Sequence, residues 1–519
     1  MPHPSVYAET YPHKAAYIMG ATGEVVSFRE LDEQSNRAAQ LFRSLGLKPG
    51  DHIGFMLDNR PEFMHLIWAA QRSGLIYTPI STHLKRDETA YILGNCGAKV
   101  FIASAKYAEV AEQVRSEAAG VEQFYMVGGI RPGFDSWEEA TSAQSDEPIA
   151  DECNGAPMLY SSGTTGYPKG VYADPVSLDI HEPPLLANTI GLLFGFGEET
   201  VYLSPAPMYH AAPLHYTMMT TWNGGTTVIM EKYDPEQALK LIEEHRVTHS
   251  QWVPIMFVRM LKLPEEVRKA YDVSSMQYAI HAAAPCPIEI KERMIEWWGE
   301  IIVEYYAASE GIGITIIDSA DWLKHKGSVG KPLMGEMHIL DDEGNEQPVG
   351  EIGTVYFGGA QVQFRYHNEP EKTADAYNAE GWATTGDVGY VDEEGYLYLT
   401  DRKNYTIISG GVNIYPQEIE NLLASHDKIA DVAVFGIPNE EFGEEVKAVV
   451  QPLNWADATD ETAFEILEWL RERIATIKMP RSLDFHEQLP RMDNGKLYKR
   501  RLVEEYRAAA RDDNPGDKM

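Results

Sequence analysis

Basic residues are in short supply in this chain. Across 519 residues, 44 lysines and arginines face 79 aspartates and glutamates, a formal net charge of −35. A field of that sign argues against general nucleic-acid binding and against docking on anionic lipid. Any site for a polyanion must then be a local positive island. Cysteine is scarcer still, with Cys96, Cys153 and Cys286 far apart and no Cys-x-x-Cys pair. That usage fits a reducing compartment and thiols that serve as small buried apolar residues. No apolar run approaches membrane-spanning length, and the opening MPHPSVYAET has no apolar signal core. The expected location is the cytoplasm, with no integral membrane association. Internal repeats and low-complexity blocks are also missing.

The composition that remains, 44% hydrophobic and 24% charged, belongs to globular proteins. The length is too great for one ordinary core and implies two to four domains. Strand-like and helix-like stretches alternate through most of the first 400 residues. DPEQALKLIEEHRV starts with Asp234 as N-cap and Pro235 at the first helical position. QYAIHAAAP reads as a strand, IEIKERMIEWWG as a helix and EIIVEYYAAS as a strand. This alternation predicts an α/β fold of mostly parallel sheets with helices, active residues lying at strand ends. After GYLYLTDRKNYTIISGGVNIYP the texture changes. DVAVFGIP and EEVKAVVQPL read as a hairpin-like pair, and ETAFEILEWLRERIATI as a long amphipathic helix. The predicted division is a large N-terminal domain, residues 1–401, and a small α+β domain, residues 402–519.

One loop stands out chemically. SSGTTGYPKG, residues 161–170, holds four Ser or Thr hydroxyls, three glycines and one lysine. Glycine lets backbone N–H groups approach an anion, hydroxyls add donors, and Lys169 brings a full charge. Flexible linkers share such a composition. Here, however, apolar Met158-Leu159-Tyr160 leads in as a strand would, and Pro168 stiffens the middle. Lys169 is followed by Gly170 rather than Ser or Thr, which excludes the Walker type of phosphate loop.

Four further stretches follow in order: YYAASEG (305–311), GWATTGD (381–387), DRKNYTIISGGVNIYPQEIE (401–420) and PRMDNGK (490–496). With the loop, they make the chain resemble the adenylate-forming superfamily, the AMP-forming acyl-CoA synthetases and their relatives, from Phe28 to Leu502. The resemblance implies ATP, Mg²⁺ and coenzyme A as cofactors and a small carboxylic acid as substrate. Carboxylate would attack the α-phosphate of ATP, giving acyl-adenylate and pyrophosphate, and a thiol would then displace AMP. It also makes the C-terminal domain a mobile lid. By the same resemblance, Ser161, Ser162, Gly163, Thr164, Thr165, Gly166 and Lys169 hold the phosphates, with Thr165 also catalytic. Glu310 and Thr164 bind the metal, a hard oxygen donor for a hard cation. Tyr306 stacks on adenine beside Ser309, and Ala284 and Pro285 of HAAAPCP (281–287) line the ring. Asp387 takes the ribose hydroxyls, with Arg402 adding a second contact. Lys496 neutralises carboxylate and α-phosphate, and His210, in SPAPMYHAAPLH (204–215), gates the acyl pocket. Gly410 and Gly411 border the pantetheine channel, and Lys478 meets the phosphate of coenzyme A or the nucleotide.

The chain departs from the family pattern at Ala307, at Ser309, and at Asn404 and Tyr405 in the expected hinge. His245 and His249 have helical spacing, but Val247-Thr248 starts a strand between them, so a zinc pair is rejected. Ala211 and Ala212 beside His210, with Trp252, Phe257 and Tyr306 as apolar walls, suit a medium- or long-chain, aromatic or ring-bearing acid better than acetate. Two other readings remain. One is an acyl-AMP ligase serving a carrier protein; the other is a nucleotide-binding relative without turnover. A second copy of the chain and a protein lysine acetyltransferase acting on Lys496 are the macromolecular partners expected.

Overall fold

A computed structural model describes residues 3–118, 120–161, 168–172, 179–182, 185–359, 364–402, 405–410, 412–439, 441–491 and 497–512. Local sequence signals set many of its elements. Ser27 and Glu30 cap the helix Phe28–Ser44 reciprocally, Ser27 Oγ accepting from Glu30 N at 3.2 Å and Glu30 Oε2 from Ser27 N at 2.8 Å. Asp234 caps the helix Pro235–His245 by accepting from Gln237 N at 2.8 Å, with Pro235 in the first turn. That helix stops at His245 and the next strand starts at His249, so the two histidines share no helical face.

Contacts divide the chain into two compact units. The first comprises residues 1–251, 269–279 and 363–375. It contains a six-stranded sheet, in spatial order Asp135–Ser136, Gln123–Val127, Ala98–Ser104, His52–Met56, Ile76–Pro79 and Ala156–Pro157, parallel throughout. Strands Ala15–Met19, Thr226–Ile229 and Val201–Ser204 form further parallel pairs. Trp68 and Trp222 meet edge to face at 4.9 Å within the buried core, alongside Phe55, Phe63 and Tyr17. A small antiparallel sheet joins Leu159–Ser161, Lys169–Tyr172 and Arg365–Tyr366.

The second unit comprises residues 252–268, 280–362 and 376–519. Its strands Ile302–Ala307, Ile314–Ile317 and Lys331–Met334 pair antiparallel. The strand–helix–strand reading ends at the strand finishing at Ala307, and beyond it the chain returns antiparallel. A tight turn closed by Gly311, at φ +67°, sends the chain straight back. Four antiparallel strands follow, Glu336–Leu340, Gly353–Gly358, Asp387–Val391 and Leu397–Arg402. Beyond them, Ile429–Asn439 and Gly443–Pro452 form the expected hairpin, and Ser482–Phe485 joins its edge in parallel. The helix expected over ETAFEILEWLRERIATI is shorter, Asp460–Arg471. The chain must turn back after it to bring Ser482–Phe485 to the sheet, and Pro480 precedes that strand.

Candidate active site

Asp387 and Arg402 are register partners in the antiparallel pair Asp387–Val391 and Leu397–Arg402. Opposed residues project on one face, and Arg402 Nε donates to Asp387 Oδ1 at 3.1 Å. The other oxygen, Oδ2, accepts from Tyr306 OH at 2.7 Å and from Thr385 Oγ1 at 2.9 Å. Three of the roughly four acceptor positions of a carboxylate are thus engaged. The GWATTGD turn makes this possible. Thr384 Oγ1 accepts from Gly386 N at 3.0 Å, and Gly386, at φ +83°, swings Asp387 into its strand. Burial, then the Asp387 charge, raise the Tyr306 phenol well above its usual range, so it stays a donor. Burial opposes the Arg402 charge, but Asp387 more than restores it, and the guanidinium pKa is raised.

Tyr306 sits near the end of the strand Ile302–Ala307, its ring 6.2 Å from that of Phe357. Phe357 can lie there because residue 313 is glycine; a Cβ at Gly313 would meet the Phe357 ring at 2.1 Å. Ser309 and Glu310 form the turn after the strand, Ser309 exposed and Glu310 half-buried. No group of three or more His, Cys, Asp or Glu side chains able to hold a metal exists among the described residues. Magnesium bound through substrate phosphates needs only one or two protein carboxylates, so a single Glu310 fits that chemistry. Ala284 and Pro285 lie between the strand Tyr278–His281 and the helix Ile288–Trp298. Next to them, Ala283 holds φ +76°, a left-handed backbone that strains any Cβ.

In the first unit, the strands Leu159–Ser161 and Lys169–Tyr172 flank the hydroxyl- and glycine-rich loop, Lys169 opposite Ser161. The loop therefore joins two antiparallel strands, whereas a Walker loop joins a strand to a helix. Lys169 Nζ lies 4.4 Å from the centre of the Tyr366 ring. Gly170 serves packing, since a Cβ there would meet Tyr160 at 2.9 Å, and Tyr160 OH is anchored on Asn95 Oδ1 at 2.5 Å. His210 is the N-cap residue just before the helix Ala211–Trp222, and Ala211 and Ala212 lie in its first turn. The segment before His210 is pinned by buried Asn59. Its Nδ2 donates to Ala206 O at 3.0 Å and Met230 O at 2.8 Å, while Oδ1 accepts from Met208 N at 2.8 Å.

In the C-terminal part, Gly410 adopts φ +58° and donates to Phe442 O at 2.8 Å, while the Arg481 guanidinium lies 4.2 Å from the Phe442 ring. Lys478 pairs with Glu418 at 2.5 Å. Trp252 and Phe257, expected as pocket walls, have no exposed surface and pack on Trp298; they belong to the core. Ser162, Gly163, Thr164, Thr165, Gly166, Asn404, Gly411 and Lys496 lie outside the described residues. Sequence reasoning missed Thr385, Phe357, Tyr366 and Asn59. Thr385 stands inside a quoted motif, and its hydroxyl two residues before Asp387 was the available signal. For the other three no local signal exists, because each acts on a segment distant in sequence.

Residues 5–367 match the AMP-binding enzyme family and residues 418–496 the AMP-binding enzyme C-terminal domain. The chain belongs to the AMP-binding enzyme family. It is an adenylate-forming acid–thiol ligase, as the motifs imply. It is 34% identical over 513 residues to the long-chain-fatty-acid–CoA ligase FadD13 of Mycobacterium tuberculosis, covering 96% of this chain and 97% of that one. It is 31% identical over 497 residues to a feruloyl-CoA synthase of Amycolatopsis, covering 95% and 96%. Among solved structures, ATP-bound MatB from Rhodopseudomonas palustris superposes with a TM-score of 0.79 at 26% identity, covering 98% and 99%. The shared architecture is a large domain of parallel sheets and helices with a smaller C-terminal domain.

Proposed function

We propose that this ligase activates an apolar carboxylic acid, medium- or long-chain, aromatic or ring-bearing, and transfers it to coenzyme A. The observation that carries the reading is the Asp387 cluster, in which Arg402, Tyr306 and Thr385 converge on one carboxylate. Such a cluster offers a polyol a carboxylate acceptor and an aromatic face together, the two features a nucleoside presents. Adenylation brings an anionic carboxylate onto a polyanion, so positive charge at the transition state dominates. Lys169 from its hairpin and Lys496 from the C-terminal part supply that charge, on a chain otherwise poor in it. Magnesium, held by Glu310 and Thr164, neutralises the phosphates when bound. Thr165 and the neighbouring hydroxyls and N–H groups of 161–166 hold the phosphate oxygens. Ala284 and Pro285 bound the adenine with Tyr306 and Ser309, His210 gates the acyl pocket, and Gly410, Gly411 and Lys478 guide coenzyme A.

The small residues Ala211 and Ala212 beside His210 support a roomy pocket, and fatty-acid and feruloyl relatives point the same way. Residues 402–519 act as a lid turning against residues 1–401 between the half-reactions. No described helix is long and apolar enough to cross a membrane. The cytoplasm, a second copy of the chain and an acetyltransferase that silences Lys496 by removing its charge complete the proposal. The test is a panel of acids, from acetate through aromatic acids to long chains and steroid acids, assayed for AMP release with and without coenzyme A. AMP release that depends on coenzyme A and is strongest for bulky apolar acids is expected. Preference for acetate overturns the substrate class. Adenylate formation without coenzyme A-dependent release favours a carrier-protein acceptor.

A further inference from the structure

Lys499 begins the helix Lys499–Asp512, three residues beyond Lys496 in sequence, yet its ammonium is turned inward. Nζ pairs with Glu420 Oε1 at 2.7 Å, with 10% and 11% of the two side chains exposed. It also lies 5.2 Å from the centre of the Tyr405 ring. Glu420 belongs to the helix Pro416–Ser425 and accepts a further hydrogen bond from Val434 N at 2.7 Å. The first turn of the same helix reaches back across residue 402. Gln417 N donates to Asp401 Oδ2 at 3.2 Å, and Arg402 N to Asp401 Oδ1 at 2.7 Å. Burial opposes the Lys499 charge, and Glu420 and then Asp401 more than restore it. Burial likewise raises the Asp401 carboxyl, against the pull of Lys499. The buried ammonium and the helix it is paired with therefore tie three parts together. These are the end of the strand Leu397–Arg402, the Tyr405 side of the expected hinge and the base of the segment that carries Lys496.

We propose that Lys499 is a positioning residue whose contacts with Glu420 and Tyr405, through the helix whose Gln417 N–H holds Asp401, latch residues 402–519 in one of the two orientations used by the half-reactions. The proposal rests on the ligase reading above. A buried charge is stable only with its partners in place, so Lys499 holds Glu420 and its helix where Gln417 N–H meets Asp401, and a rotation that parts Asp401 from Gln417 works against that hold. The latch thereby biases which half-reaction the enzyme is set for.

The test compares Lys499→Met, Lys499→Arg and Glu420→Gln, the last keeping an acceptor for Val434 N–H. Acid-dependent pyrophosphate release and thioester formation from supplied acyl-adenylate are measured separately. Lys499→Met and Glu420→Gln should change the ratio of the two rates by about tenfold or more, the scale on which a lost buried partner shifts a two-state equilibrium. Lys499→Arg should restore the ratio. Equal losses in both half-reactions in folded variants overturn the latch. Hydrogen exchange at the Gln417 amide reads the same cluster without any activity. It should quicken in Lys499→Met and stay near wild type in Lys499→Arg; unchanged exchange in both also overturns the latch. Failure of the wild-type protein to release pyrophosphate with any acid would instead strike the ligase reading, leaving the exchange result to judge the latch alone.

Discussion

At the scale of single residues, Ala283 carries a measurable consequence. Its left-handed backbone, φ +76°, lies beside the Ala284-Pro285 turn, where a glycine would adopt the same angle without strain. A left-handed alanine costs about 1–2 kcal/mol, and glycine returns part of that gain through the entropy of the unfolded chain. Ala283→Gly should therefore raise stability by about 0.5–1 kcal/mol, read as a higher urea midpoint with an unchanged slope. A lower midpoint would mean that the alanine methyl contributes packing that outweighs the strain. Lys169 and Asp387 show the residue scale from the other side. Both were identifiable from their motifs, as was Tyr306 of YYAASEG, the partner of Asp387, but Tyr366, the partner of Lys169, came from a strand that no motif names.

Elements differ in how far the chain announces them. The Asp234 cap and the Ile429–Asn439 hairpin were legible because their causes are local, a side chain reaching a neighbouring N–H or two apolar runs with a short turn. The sheet around the phosphate-type loop was only half legible. Met158-Leu159-Tyr160 announced its first strand, but Arg365–Tyr366, which closes the sheet, lies far along the chain. The antiparallel return after Ile302–Ala307 was hidden for a related reason. Alternating apolar stretches do not state strand direction, and only Gly311 at φ +67° marks the turn. Asp387 facing Arg402 is a matter of register, which periodicity constrains but does not number. The pairing of Lys499 with Glu420 left no trace in the sequence at all, because an inward lysine and a solvated one look alike.

The whole molecule carries several histidines kept neutral by burial. His52 and His65 are lowered to about 4, burial being the larger cause in both. His3 and His281 lie well below the ordinary 6.5, and His249 below it, again first through burial. Folded values beneath the unfolded one mean that, as pH falls through 6.5 towards 4, the unfolded chain binds protons the folded chain refuses. Stability is full near neutrality and declines through that window. Urea midpoints taken at several pH values should fall steadily below about pH 6.5, and His249→Gln should flatten the fall. A midpoint constant down to about pH 5 would contradict the burial of these rings. The account as a whole stands on a positive charge delivered to an adenylation centre in an acidic protein. Lys496→Ala tests it most directly, with the two half-reactions assayed apart. Acid-dependent pyrophosphate release should drop by about a hundredfold or more, while thioester formation from supplied acyl-adenylate stays far closer to wild type. Equal loss in both half-reactions would contradict the account.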